Sequence, residues 1–112
     1  MAVMADPATY LRVPVSVEQG QIFAVRSMIA HPMETGRRKD PATGTLVAKR
    51  LIERVTVTLD GAEILSAEWG TGVAANPMLG FDLKLVRSAT IEISWSEDTG
   101  RTWRRAATVT VV

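Results

Sequence analysis

A chain of 112 residues, 46% of them hydrophobic and 22% charged, is long enough for one domain with a continuous core and too short for two. Thirteen Lys and Arg against 12 Asp and Glu leave a formal net charge of +1, which excludes a strongly basic nucleic-acid binder and a polyacidic tail. With no cysteine and a single histidine, His31, a disulfide scaffold, a thiol nucleophile, a zinc ribbon and a multi-histidine metal centre are excluded as well, and no cofactor is expected.

Residues 1–10 read as an N-terminal extension and residues 11–112 as one domain. Met1–Arg12 has neither a basic n-region nor an apolar h-region, so the residues alone point to a cytoplasmic protein. No apolar run approaches the roughly 18 residues of a membrane span. Val13, Val15 and Val17 then alternate with Pro14 and Ser16, the first period-two run. After Glu18-Gln19-Gly20, the stretch Gln21–Ala30 is more continuously apolar and reads as a central strand. His31 to about Lys49, with Pro32, Gly36, Pro41 and Gly44, is too long for a hairpin turn; loops of that length are functional or mobile.

Alternation resumes at Val55, Val57 and Leu59 and is followed by Asp60-Gly61, a two-residue hairpin signal, then by the strand candidate Ala62–Trp69. Phe81, Leu83 and Leu85 form the next run, and Ile91, Ile93 and Trp95 another. The turn Asp98-Thr99-Gly100 leads to the last, Val109 and Val111. About seven short strands, each with one apolar face, predict an all-β fold: an antiparallel sandwich.

Three segments attract attention as sites. The first is the loop His31-Pro32-Met33-Glu34-Thr35-Gly36-Arg37-Arg38-Lys39-Asp40, which mixes an imidazole, a rigid proline, a thioether and charges at a strand end. His31 has no identifiable nucleophile or orienting partner, so general-base catalysis is disfavoured; a pinned loop, with His31 and Glu34 bonded to the sandwich edge, is the simpler account. Arg37, Arg38, Lys39, Lys49, Arg50 and Arg54 cluster nearby and suit an acidic partner or a solvated loop. With aromatics at only 5%, that cluster makes a poor nucleic-acid site. The second segment is Asn76-Pro77, whose proline stiffens a connection that another chain can approach. The third is Ser96-Glu97-Asp98-Thr99-Gly100-Arg101-Thr102-Trp103, with the Ser-x-Asp-x-Gly-x-Thr-Trp spacing of an Asp-box hairpin. It occurs once, in a chain too short for a propeller. Ser96, Asp98, Gly100 and Trp103 are therefore expected to build a structural turn, with Asp98 accepting N–H bonds within it and Trp103 packed beneath.

Met28-Ile29-Ala30-His31-Pro32-Met33-Glu34-Thr35-Gly36-Arg37-Arg38-Lys39-Asp40 closely resembles the signature loop of the SoxZ family, and the likeness continues through Val55-Thr56, Asp60-Gly61, Ala75-Asn76-Pro77, Phe81 and Ile91–Trp95. That resemblance implies an immunoglobulin-like sandwich without catalytic activity, the half of a sulfur-carrier heterodimer that scaffolds its SoxY partner during thiosulfate oxidation. The partner's C-terminal arm ends in Gly-Gly-Cys-Gly-Gly and carries the sulfur, while other Sox enzymes engage it transiently. The resemblance also implies a periplasmic location reached by co-export with SoxY, against the cytoplasmic reading. An apolar patch left exposed by an absent partner often promotes homodimers, so self-association of the isolated subunit stays open. His31, Pro32, Met33, Glu34, Thr35, Gly36 and Arg37, with Asn76 and Pro77, are the residues expected to meet the partner, with Met33 as an exposed apolar centre. The alternative, suggested by the Ser96–Trp103 box, is an accessory or dimerisation domain of a larger redox enzyme such as a sulfite oxidase.

Overall fold

The computed structural model describes residues 6–112; the first half of the extension expected at 1–10 lies outside them. Eight strands form two sheets: β1 (Thr9–Arg12), β2 (Ser16–Val17), β3 (Ile22–Ile29), β4 (Ile52–Leu59), β5 (Ala62–Glu68), β6 (Met78–Lys84), β7 (Ala89–Glu97) and β8 (Thr102–Val111). One sheet has the order β1-β3-β6 and the other β2-β8-β7-β4-β5. The fold is the expected all-β sandwich, with one strand more than counted. The added strand is β1, which begins at Thr9, ahead of the expected boundary at 11, and pairs antiparallel with β3.

The sheets pack because inward positions alternate with outward ones. Val25, Ile29, Ile52, Val55, Val57, Ile91, Ile93, Trp95 and Val109 are the largest near-fully buried side chains. Trp95, fully buried at the centre, dominates this core. One pairing departs from an antiparallel sandwich: β2 runs parallel to β8. Pro14 offers no N–H to continue the ladder with β3, and the chain crosses to the other sheet without reversing direction.

β3 is central in its sheet but not buried on both faces: Ile22, Ala24 and Arg26 point outward, while Phe23, Val25 and Ser27 point inward. The Asp60-Gly61 hairpin is as expected. Leu59 pairs with Ala62, and φ is 48° at Asp60 and 87° at Gly61, the pair of positive values a tight primed turn requires. A register shift after Val57 puts an extra residue into β5 and leaves Ile64 turned to solvent.

Candidate functional site

The excursion between β3 and β4 is an irregular hairpin folded back on itself. Glu34 and Arg50 exchange backbone bonds at 2.7 and 2.9 Å, and Lys39 bridges to Leu46. Gly36 sits at φ 85°, a conformation that favours glycine, and a Cβ there would crowd the Lys49 Cβ at 3.2 Å. Thr35 Oγ1 accepts the Arg37 N–H at 3.3 Å. The Glu34 carboxylate takes a forked pair of bonds from Arg38, which holds it below its usual range against a smaller opposing effect of desolvation.

His31 stands where this loop leaves β3, and it is buried. Its Nδ1 accepts the Met33 N–H at 2.9 Å, so the ring proton sits on Nε2 and is donated to Glu97 Oε2 at 2.5 Å. Glu97 ends β7 and is also buried. Burial pushes its carboxyl upward. The Thr99 hydroxyl, which donates to Oε1, together with the His31 Nε2–H and the Arg50 guanidinium 3.7 Å away, outweighs burial and holds the group below its ordinary value. Both ring nitrogens of His31 are thus occupied inside the protein.

Asn76 clasps the same residue from below. Its Oδ1 accepts the His31 N–H at 3.1 Å, and its own N–H donates to the His31 carbonyl at 2.8 Å. Pro77 is buried and its carbonyl accepts the Ile29 N–H at 3.3 Å. The two segments singled out in the sequence therefore form one structure around His31.

The hairpin between β7 and β8 joins it. Trp103 meets the His31 ring edge-on, with centroids 6.2 Å apart, and Arg101 lies 4.9 Å over the Trp103 ring. Gly100, at φ 94°, donates to the Glu97 carbonyl at 3.0 Å and closes the turn, while Ser96 pairs with Thr102 in the ladder. Asp98 corrects the expectation: its side chain accepts no bond within the turn. Oδ1 takes the Leu51 N–H at 3.2 Å and the Asp98 N–H donates to the Leu51 carbonyl at 3.0 Å, pinning the hairpin to the loop's return. Asp98→Ala is expected to cost about 1 kcal/mol, read as a shift in denaturation midpoint; an unchanged midpoint would contradict that role.

Met33 requires a second correction. Expected at the surface, it is only 5% exposed, and its Sδ accepts the Ile52 N–H at 3.4 Å. Its φ of 50° turns the side chain inward under the loop. Of the expected contact residues, Pro32, Arg37 and Asn76 are exposed, Glu34, Thr35 and Gly36 are half-buried, and His31, Met33 and Pro77 are inside. Nor do the basic residues form one free patch, since Arg38 pairs with Glu34 and Arg54 with Glu68.

Glu97 was missed as a partner of His31. Its signal is parity: Ile91, Ile93, Trp95 and Glu97 share the inward face of β7, so a carboxylate occupies a core register.

The family model described as "Sulphur oxidation protein SoxZ" matches residues 11–108. No curated protein matches the chain. Among solved structures, superoxide reductase (neelaredoxin) from Ignicoccus hospitalis is similar at a TM-score of 0.67 and 19% identity, covering 96% of this chain and 81% of that one. The sulfur carrier protein SoxY from Chlorobium limicola f thiosulfatophilum is similar at a TM-score of 0.65 and 11% identity, covering 94% and 79%. At these identities the likeness is one of fold.

Proposed function

Because the chain belongs to the SoxZ family of sulphur oxidation proteins, we propose that it is the non-catalytic half of a sulfur-carrier heterodimer and scaffolds a SoxY-like subunit whose C-terminal cysteine arm carries the sulfur during thiosulfate oxidation. The observation that carries this reading is the family match across residues 11–108, which includes the loop from His31 and the Asn76-Pro77 clasp. Geometry supports a non-catalytic role. The one imidazole spends both nitrogens on Met33 and Glu97, leaving neither for a substrate. With no cysteine in the chain, the sulfur-bearing thiol belongs to the partner. The same reading places the working complex in the periplasm, reached by co-export with the partner, where other Sox enzymes meet it transiently.

The test is a binding measurement with a SoxY-like protein bearing the Gly-Gly-Cys-Gly-Gly arm. Co-elution and a dissociation constant in the micromolar range or tighter are expected. No complex at micromolar concentrations would overturn the proposal. The alternative, an accessory domain of a larger redox enzyme, has the Ser96–Trp103 hairpin in its favour, but that turn is accounted for by its bonds to Leu51 and, through Glu97, to His31.

A further inference from the structure

The outer face of the three-stranded sheet carries an unusual set of side chains for an exposed surface. Across the register, Tyr10 of β1 lies beside Met28 of β3, which lies beside Met78 of β6. Tyr10 is 58% exposed and Met78 69%, and Ile22 farther along β3 is 60% exposed. A shallow depression of about 250 Å³ is lined by Tyr10, Arg12, Arg26, Ser27, Met28 and Met78. The next row places Arg12 directly opposite Arg26, with Gly80 beyond.

Two arginines facing each other across a ladder repel. Among the described residues neither has an ion-pair partner, and the sequence before Asp6 contains no acidic residue to supply one. Gly80 and Ala24 keep the middle of the face low, so another backbone can come close. A contiguous row of aromatic and Met side chains beside two unpaired arginines is the composition of an interface, with Asp82 and Lys84 farther along the same face.

We propose that this face is where the SoxY-like subunit docks, through a sheet of its own that presents apolar side chains against Tyr10, Met28 and Met78 and carboxylates against Arg12 and Arg26. The inference rests on the heterodimer reading above. Three observations select this occupant. A SoxY shares the fold, so the partner owns an equivalent sheet, and two sheets stack face to face at about 10 Å. The unpaired arginines call for carboxylates, which this sheet's own Asp82 does not supply in an ion pair. The apolar row is also continuous with the clasp around His31, because Met78 follows Pro77 directly and Met28 leads through Ala30 to His31.

The experiment measures binding of the intact SoxY-like protein to four forms of the full chain: wild type, Met78→Glu, Arg26→Glu and, as a control on the opposite sheet, Ile64→Glu. Met78 and Arg26 are exposed, so thermal melts should match wild type; should either variant melt early, Met78→Ala and Arg26→Ala are measured in its place. Met78→Glu and Arg26→Glu are each expected to weaken binding by about 30-fold or more, and Ile64→Glu to leave it unchanged. Wild-type affinity in both face variants overturns this assignment while leaving the heterodimer standing. A wild-type chain that binds no SoxY-like protein overturns the heterodimer itself. If Met78→Glu dissolves a homodimer and spares partner binding, the face belongs to a second copy and the proposal fails.

Discussion

Met33→Asp is expected to abolish cooperative folding or to lower stability by about 4 kcal/mol or more. The carboxylate would replace a thioether packed among core residues, at a position 5% exposed. It would either lose its hydration or drag the loop out of the sandwich. For a domain of this size a loss of that order lowers the melting temperature by roughly 15–30 °C. Met33→Leu keeps the volume and surrenders only the weak sulfur acceptor, so it should cost less than about 1.5 kcal/mol. Circular-dichroism melts of the pair decide it. A Met33→Asp chain melting within a few degrees of wild type would show that the side chain reaches water.

Glu97→Ala is expected to cost about 2–4 kcal/mol. It leaves the His31 Nε2–H buried without its acceptor and removes the carboxylate beside Arg50. A pH signature accompanies it. The Glu97 carboxyl is held below its ordinary value of 4.5 in the folded state, so between the two values the unfolded chain binds more protons than the folded one. The carboxylate's contribution is complete above pH 4.5 and is lost as pH falls through the folded value. Urea unfolding at pH 7 and at pH 3.5 should therefore show a drop in the wild type that Glu97→Gln shares only in part. Equal drops in both proteins would remove Glu97 from the account.

Much of this architecture could be read from the residues because a half-buried strand displays its two faces in alternation. Val55, Val57 and Leu59, or Ile91, Ile93 and Trp95, reveal both the strand and its inward side. β1 escaped notice because Thr9–Arg12 is four residues long, with no fully buried side chain to mark a face. Val13, Pro14 and Val15 imitated a strand, yet only Ser16 and Val17 pair. β3 was legible as the central strand it is, though its two faces were not. Its outward Ile22, Ala24 and Met28 are apolar, so an exposed face read like a buried one.

The site was visible as a string of residues and invisible as geometry. Nothing in His-Pro-Met-Glu-Thr-Gly announces that the third residue adopts φ 50° and turns inward. Local sequence also gives no measure of spatial distance, so the bond from His31 to a carboxylate 66 residues away appears only once β7 is laid over β3. What sequence did offer there was the parity of Glu97, a polar residue in an apolar register.

The connectivity of the three-stranded sheet has a kinetic consequence. β3 finds its downstream neighbour, β6, only after β4 and β5 have passed into the other sheet, since Met28 pairs with Met78. β4 with β5, and β7 with β8, are hairpins that close over a few residues, whereas β3 with β6 must first close a long loop. His31 is held by Asn76 on one side of that loop and by Glu97 still later in the chain. A nascent chain therefore cannot fix the loop before its last third has emerged. The imidazole clasp is complete only when residues 31, 76 and 97 have all come together.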